Sequence, residues 1–282
     1  ETLSLKKDDW LNNWYTGHAY ETKGDINLNI KKWTDAKQNY EKSINYIPLN
    51  MSARFSLAEV YYKLNDNESA KETYLSIIAT ILNENTISTY KKEYKQALEN
   101  LIYHNTWISM DSLNIIEVLE KAIEYFHSED WCYRNLGSAY SKQDNYHKAY
   151  DNLKKAIEIN PNHYLNFSFY AYFLRNEEQY EKAIINYNKA IEILENLNDE
   201  SKLTIIGNLT DVVAEIYQEL DEIDLAIISY KKAILLTSGA RKENIRFKLA
   251  NMYFLKKEFS NAIENWEIVY KETKGHGAKF NI

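Results

Sequence analysis

The chain has 282 residues and a formal net charge of −7; 45% of its residues are hydrophobic and 27% charged, and it holds 7 Gly and 2 Pro against 24 Tyr. So few breakers over that length exclude a many-turned β fold and a Gly-rich phosphate loop, and they favour long helices with short connections. Net acidity argues against general nucleic-acid or anionic-membrane binding, and the single Cys132 rules out an intrachain disulfide and a cysteine-based metal site.

The chain opens on Glu1 with no initiating Met, which predicts a processed product or a piece of something longer. No apolar run is long enough to span a bilayer, and no signal peptide is present. The first predicted helix pair (residues 10–50) places Gly17 and Tyr20 on one helix and Trp33, Ala36, Tyr40, Ser43 and Pro48 on the next. An insertion of about seven residues around Lys23–Asn29 separates them, judged against a period of about 34. Residues 51–84 carry Leu57-Ala58, Tyr61, Ala70, Tyr74 and Ile77 in the same phase. A further insertion falls near Asn85–Lys95, and the unit at 96–129 is degenerate. There Ile102, Leu119 and Ala122 fit, while Tyr103 and Ile115 occupy places where small residues are usual.

The clearest unit, residues 130–163, contains Leu136-Gly137, Tyr140, Tyr146, Ala149, Leu153, Ala156 and Pro161. In residues 164–197 it returns as Tyr170-Ala171, Leu174, Tyr180, Ala183, Tyr187 and Ala190, with Ala149 to Ala183 and Ala156 to Ala190 in register. After an insertion near Asn198–Ile206, residues 207–240 carry Val213-Ala214, Tyr217, Ala226, Tyr230 and Ala233. Residues 243–276 carry Leu249-Ala250, Tyr253, Phe259, Ala262, Trp266 and Val269. Within each unit the apolar residues recur at three- and four-residue steps, as amphipathic helices require, and Ala or Gly stands where two helix axes must approach.

The string from Leu136 through Pro161 resembles the tetratricopeptide repeat signature. The resemblance implies an all-α fold, a right-handed superhelical solenoid of about seven helix pairs extending over residues 1–282 as one array. One pair cannot bury its apolar stripe alone, so neighbours must stack.

In the family the first helix of each pair lines a concave face. Projected onto this chain, that register gives a groove containing Trp14, Phe55, Tyr62, Asn100, His104, Trp107, Trp131, Arg134, Tyr172, Arg175 and Asn176. Ser138 joins them, and Lys142 lies near the two arginines. Aromatics and Arg dominate peptide-binding hot spots, and Arg forks grip carboxylates. Asp211, Glu215 and Glu219 reverse the sign further along, which predicts a basic, aromatic middle and an acidic C-terminal third. The competing reading is that the aromatics fill gaps between helices and the arginines pair with acidic neighbours. The chaperone-tail clamp of the family is not matched, because Phe169 stands where the clamp needs Asn.

No catalytic residues, cofactor or metal site are assigned. The His residues are scattered, Lys274-Gly-His-Gly is too terminal for a phosphate loop, and Cys132 has no base that can be placed beside it. The function expected is a protein–protein interaction scaffold that binds a peptide or partner segment in the groove. The alternatives are a regulatory or sensing module of a larger enzyme or secretion assembly, and an RNA-binding helical repeat, against which net acidity argues. A partner domain or subunit is expected against Ile263, Trp266 and Tyr270 of the last helix. Compartment is left open, with cytoplasm as the default and an exported bacterial protein as the other case.

Overall fold

The structure, a computed structural model, describes residues 2–83, 86, 89–105, 112–199 and 201–274. Its regular structure is helical throughout, with fourteen α-helices and no strand among the described residues. The chain forms two compact units, Glu1–Met110 and Asp111–Ile282, so the boundary falls inside the stretch 96–129.

The first unit contains α1 (Thr2–Asn29), α2 (Trp33–Tyr46), α3 (Met51–Lys63), α4 (Asn67–Asn83) and α5 (Lys91–Asn105). Helix α1 packs along α2, α3 along α4, and each pair's second helix supports the next helix. The insertion expected at Lys23–Asn29 is not a loop; it lengthens α1 by about two turns. Gly24 explains how this extension is held. A Cβ there would lie 2.6 Å from the ring of Tyr40, which is fully buried and donates its hydroxyl to Asp25 at 2.7 Å. The bare glycine therefore admits the Tyr40 ring against the α1 backbone.

The second unit contains α6 (Ser112–Phe126), α7 (Asp130–Ser141), α8 (Tyr146–Ile159), α9 (Tyr164–Asn176) and α10 (Tyr180–Glu195). It continues through α11 (Lys202–Glu219), α12 (Ile223–Leu236), α13 (Gly239–Leu255) and α14 (Phe259–Lys274). Helices α7/α8, α9/α10, α11/α12 and α13/α14 are close pairs, and α7 also touches α9 directly. The insertion near Asn198–Ile206 becomes a short turn followed by an earlier start of α11.

Helix pairs are closed by one repeated turn. Glu178 N–H donates to the Arg175 carbonyl at 3.0 Å, and Gln179 N–H donates to the Leu174 carbonyl at 2.8 Å. Those two bonds cap the otherwise unsatisfied last carbonyls of α9 in a Schellman motif, which needs a left-handed residue at its centre. The same pair of bonds recurs at Asn65–Asp66, Asp144–Asn145, Asp221–Glu222 and Lys257–Glu258. The central residue has φ between +55° and +65° at Asn65, Asp144, Glu178, Asp221 and Lys257. The i−5 carbonyl acceptor belongs to Tyr61, Tyr140, Leu174, Tyr217 or Tyr253, the large residues that mark the repeat in sequence.

Close approach inside a pair rests on the small residues. Ala149, Ala156, Ala183, Ala190, Ala226 and Ala233 have no exposed surface. A Cβ on Gly137 would sit 2.7 Å from Leu153 Cγ and 3.1 Å from the Ala149 carbonyl oxygen, so α7 and α8 touch backbone to side chain at that point. Between pairs the large residues take over: Ile227, Tyr230 and Ile234 of α12 are buried in one cluster with Ile245, Leu249 and Met252 of α13. Burying six such side chains is worth on the order of 10 kcal/mol before chain entropy is subtracted, so the stacking between pairs, not the isolated hairpin, stabilises the array.

Candidate functional site

The residues expected to line a groove divide into those that pack, those that pair and those that remain open. In the first unit Phe55 and Tyr62 are half-buried and flank Tyr74 of α4, with ring centroids 6.0 and 6.2 Å away. Burial pushes the Tyr62 phenol up to about 12. Trp14 is exposed and meets His18 edge to face at 4.5 Å. Asn100 is half-buried on α5. His104 belongs to α5, but its side chain lies outside the described residues, as does Trp107 altogether.

In the second unit Trp131 is buried against Phe126 (5.8 Å between centroids) and donates its indole N–H to Glu129. It fills the α6/α7 junction. Arg134 is only 7% exposed and is held inside a polar cluster. Its Nη1 donates to Asn166 Oδ1 at 2.6 Å and to Asp130 Oδ2 at 3.3 Å. Asn166, with no exposed surface, donates in turn to Asp130 (2.8 Å) and to the carbonyls of Ala156 and Asn160 (3.0 Å each). His163 Nδ1 lies 2.6 Å from Asp130 Oδ2 and completes the cluster. Burial alone would raise the Asp130 carboxyl, but hydrogen bonds from His163 and Asn166 and the charge of Arg134 outweigh it, so its pKa falls below the usual range. Burial also lowers the Arg134 guanidinium despite Asp130 beside it; its ordinary value is so high that it stays charged. The cluster fastens α7 to the start of α9, and Arg134 is consumed in it.

Arg175 is likewise engaged. It bonds Glu215 at 3.0 Å and forks onto Glu219, both on α11. Glu215 also accepts from Lys248 of α13 at 2.6 Å, and Lys248 reaches Asp211 at 3.0 Å, where Arg241 binds at 2.9 Å. Asp211 is 2% exposed, an acid sunk into the face between two cations. Burial would raise Glu215, but Lys248 and Arg175 hold it below the ordinary carboxylate range. Burial would lower Arg175; the two glutamates instead raise it. The sequence places Asp211, Glu215 and Glu219 together as an acidic stretch. Three cations from α9 and α13 neutralise them, and the result is a charge ladder running α9–α11–α13.

What stays open is a cleft between α7 and α9. It is lined by Ser138, Ser141 and Lys142 from the end of α7 and by Tyr172 and Asn176 from α9, over a floor of Leu153, Phe169 and Phe173, and encloses about 80 Å³. Tyr172 is 57% exposed, and Asn176 and Lys142 are exposed as well. The sequence singles out Ser138, Lys142, Tyr172 and Asn176 by repeat register. It gives no signal for Ser141 or Phe173 as lining residues. Asn166, Asp130 and His163 also escape it, because their partners are about one repeat away in the chain. Among the described residues no group of His, Cys, Asp and Glu is arranged to hold a metal ion, and no helix is long and apolar enough to cross a membrane.

At the other end of this unit, Phe259 and Ile263 of α14 are each 53% exposed and Tyr270 is exposed too, beside Phe254 and Leu255 of α13. Trp266 is half-buried against Phe254 (5.8 Å). In α12 the equivalent positions, Ile227, Tyr230 and Ile234, are covered by α13.

Antiparallel helix pairs closed by one turn type, with small residues inside a pair and large ones between pairs, define a helical-repeat protein. Sequence models of the tetratricopeptide repeat match residues 52–80, 131–163, 168–196 and 212–238. The chain belongs to the tetratricopeptide repeat family. It is 27% identical over 150 residues to a tetratricopeptide-repeat-containing protein of Methanocaldococcus jannaschii, covering 50% of this chain and 25% of that one. It is 34% identical over 68 residues to the 131 kDa subunit of transcription factor tau of Saccharomyces cerevisiae, covering 24% of this chain and 7% of that one. The chain thus spans a quarter or less of these two relatives.

Among solved structures, a tetratricopeptide repeat protein from Parabacteroides merdae superposes with a TM-score of 0.63 at 12% identity, covering 92% of this chain and 93% of that one. MamA from Desulfovibrio magneticus superposes with a TM-score of 0.51 at 14% identity, covering 65% and 98% respectively. These two likenesses concern the fold. The fold supports the general role of a protein-interaction scaffold, and members of the family are typically not enzymes.

Proposed function

We propose that the second unit holds an extended segment of a partner protein along its first helices, seated in the α7/α9 cleft. The observation that carries this reading is the contrast in solvent exposure along that face. Trp131, Arg134 and Arg175 are committed to packing or to ion pairs, whereas Tyr172, Asn176 and Lys142 are exposed around one cleft. An exposed Tyr over an apolar floor supplies buried contact at low entropy cost, and an exposed Asn offers both a donor and an acceptor to a passing peptide backbone. Panning random 12-residue peptides displayed on phage against the immobilised chain tests it. Selected peptides are expected to bind in solution at micromolar Kd, about −8 kcal/mol. Tyr172→Ala with Asn176→Ala is expected to weaken them at least 10-fold without changing the melting curve. A selection that yields no binder, or binders indifferent to both substitutions, overturns the proposal.

A second reading concerns α14. Ile263 and Trp266 stand at the positions where Ile227 and Tyr230 of α12 receive α13, so this face suits a helix of another domain or subunit. The apolar positions Ile245, Leu249 and Met252 of α13 indicate the pattern such a helix would offer. That contact favours a module working inside a larger assembly. Ile263→Asp is expected to abolish co-sedimentation with such a partner while leaving binders of the α7/α9 cleft unaffected; unchanged co-sedimentation would reject this second contact.

A further inference from the structure

The α7/α9 cleft has a charge its surroundings do not answer. Of the eight residues that line it, Lys142 is the single charged one, and no ion pair joins its ammonium to an acid among the described residues. The neighbouring face behaves differently. Arg134 is bound to Asp130 and Asn166, Arg175 to Glu215 and Glu219, Lys248 to Asp211 and Glu215, and Arg241 to Asp211. On a chain of net charge −7, this cleft carries a cation that no acid among the described residues pairs.

The groups around Lys142 suit an anion of a particular shape. The Ser138 and Ser141 hydroxyls and the Asn176 amide can donate hydrogen bonds to carboxylate oxygens, while Phe169, Phe173 and Leu153 form an apolar floor for the methylenes that precede a carboxylate. A space of about 80 Å³ takes one side chain and excludes a folded element. Tyr172 stands at the rim, where a peptide backbone would run past.

Resting on the peptide-binding reading above, we infer that the cleft selects an acidic side chain, Asp or Glu, from the bound segment, with Lys142 as the charge that specifies it. These positions differ from those of the family's chaperone-tail clamp, and the ligand group is an internal side chain, not a chain end. A charge-assisted hydrogen bond of this kind corresponds to roughly 10-fold or more in affinity.

The test is a positional-scanning library of nonapeptides with acetylated and amidated ends, titrated against the full chain. The expected result is a preference for Asp or Glu at one position. That preference is lost in Lys142→Gln, which leaves the melting curve unchanged because Lys142 is exposed. It is turned to Lys or Arg in Lys142→Glu, whose melting point falls slightly because an acid then sits at the C-terminus of α7. A parallel library with free C-termini separates the sources of the carboxylate. An acid preference that appears only as a free C-terminus overturns the side-chain assignment. Peptide binding without any acid preference, or with one that persists in Lys142→Glu, overturns the inference while the groove survives. No peptide binding at all removes the groove reading and this inference with it.

Discussion

Asn166 Oδ1 accepts from Arg134 Nη1 at 2.6 Å, and through that bond the first helix of one pair is tied to the first helix of the next. Both residues are buried, so the bond lies in a medium where an unmade partner is costly. Arg134 would be a tempting ligand-binding residue by repeat register, but its guanidinium serves this junction.

Replacing Asn166 by Ala takes one acceptor from the buried guanidinium and one donor from Asp130, and leaves Arg134 with Asp130 alone as its acid partner. The expected loss is about 2–4 kcal/mol, the range for breaking a buried charged network from one side. Urea denaturation followed by circular dichroism reads it, with Asn162→Ala on the exposed turn as the neutral control. A loss under half of a kilocalorie would show that the cluster contributes little.

Acid should weaken the second unit through the two carboxylates held below their ordinary values, Asp130 and Glu215. Above about pH 5 both are ionised folded or unfolded, and their contribution is complete. As the pH falls through the unfolded values near 4, the unfolded chain takes up protons first, so stability declines until the lower folded values are passed. The urea midpoint is expected to drop between pH 5 and pH 3, and Asp130→Asn combined with Glu215→Gln is expected to flatten that slope whatever it does to the midpoint at pH 7.

The charge ladder at Arg175 and the buried cluster at Arg134 should respond differently to salt. Arg175, Glu215 and Glu219 keep 22–36% of their side-chain surface exposed, whereas Arg134 and Asp130 keep 8% and 14%. Arg175→Ala is expected to cost about 1 kcal/mol in dilute buffer and distinctly less in about 1 M NaCl, where the screening length is about 3 Å. The Asn166→Ala penalty is expected to be the same in both. Equal salt sensitivity of the two variants would contradict this division.

The left-handed turn residues offer a stabilising change. Glu178 sits at φ +55°, a conformation that costs a residue with a Cβ about 1–2 kcal/mol and Gly nothing. Gly gives back about 0.4–1 kcal/mol through the looser unfolded chain. Glu178→Gly is therefore expected to raise stability by about 0.5–1 kcal/mol, and Asn65→Gly by less, because Asn tolerates this region. A lower thermal midpoint for Glu178→Gly would refute the strain argument.

The sequence by itself determined the helix pairs and their phase. The small residues Gly137, Ala149 and Ala156 and the large ones Tyr140 and Leu153 act within about one repeat, and such local spacing is written directly into the residue order. Even the extra turns at Lys23–Asn29 were visible as a change of period, although not whether they would coil or loop. Only the tertiary structure decided which side chains of the first helices face outward unspent. Trp131 turns into a helix junction, Arg134 meets Asp130 of its own helix and Asn166 about one repeat on, Arg175 meets glutamates more than one repeat away, and Tyr172, Asn176 and Lys142 are left around an open cleft. Register assigns a face to each residue. Whether a charge on that face is already neutralised depends on partners distant in the chain, which stacking alone brings within hydrogen-bond reach.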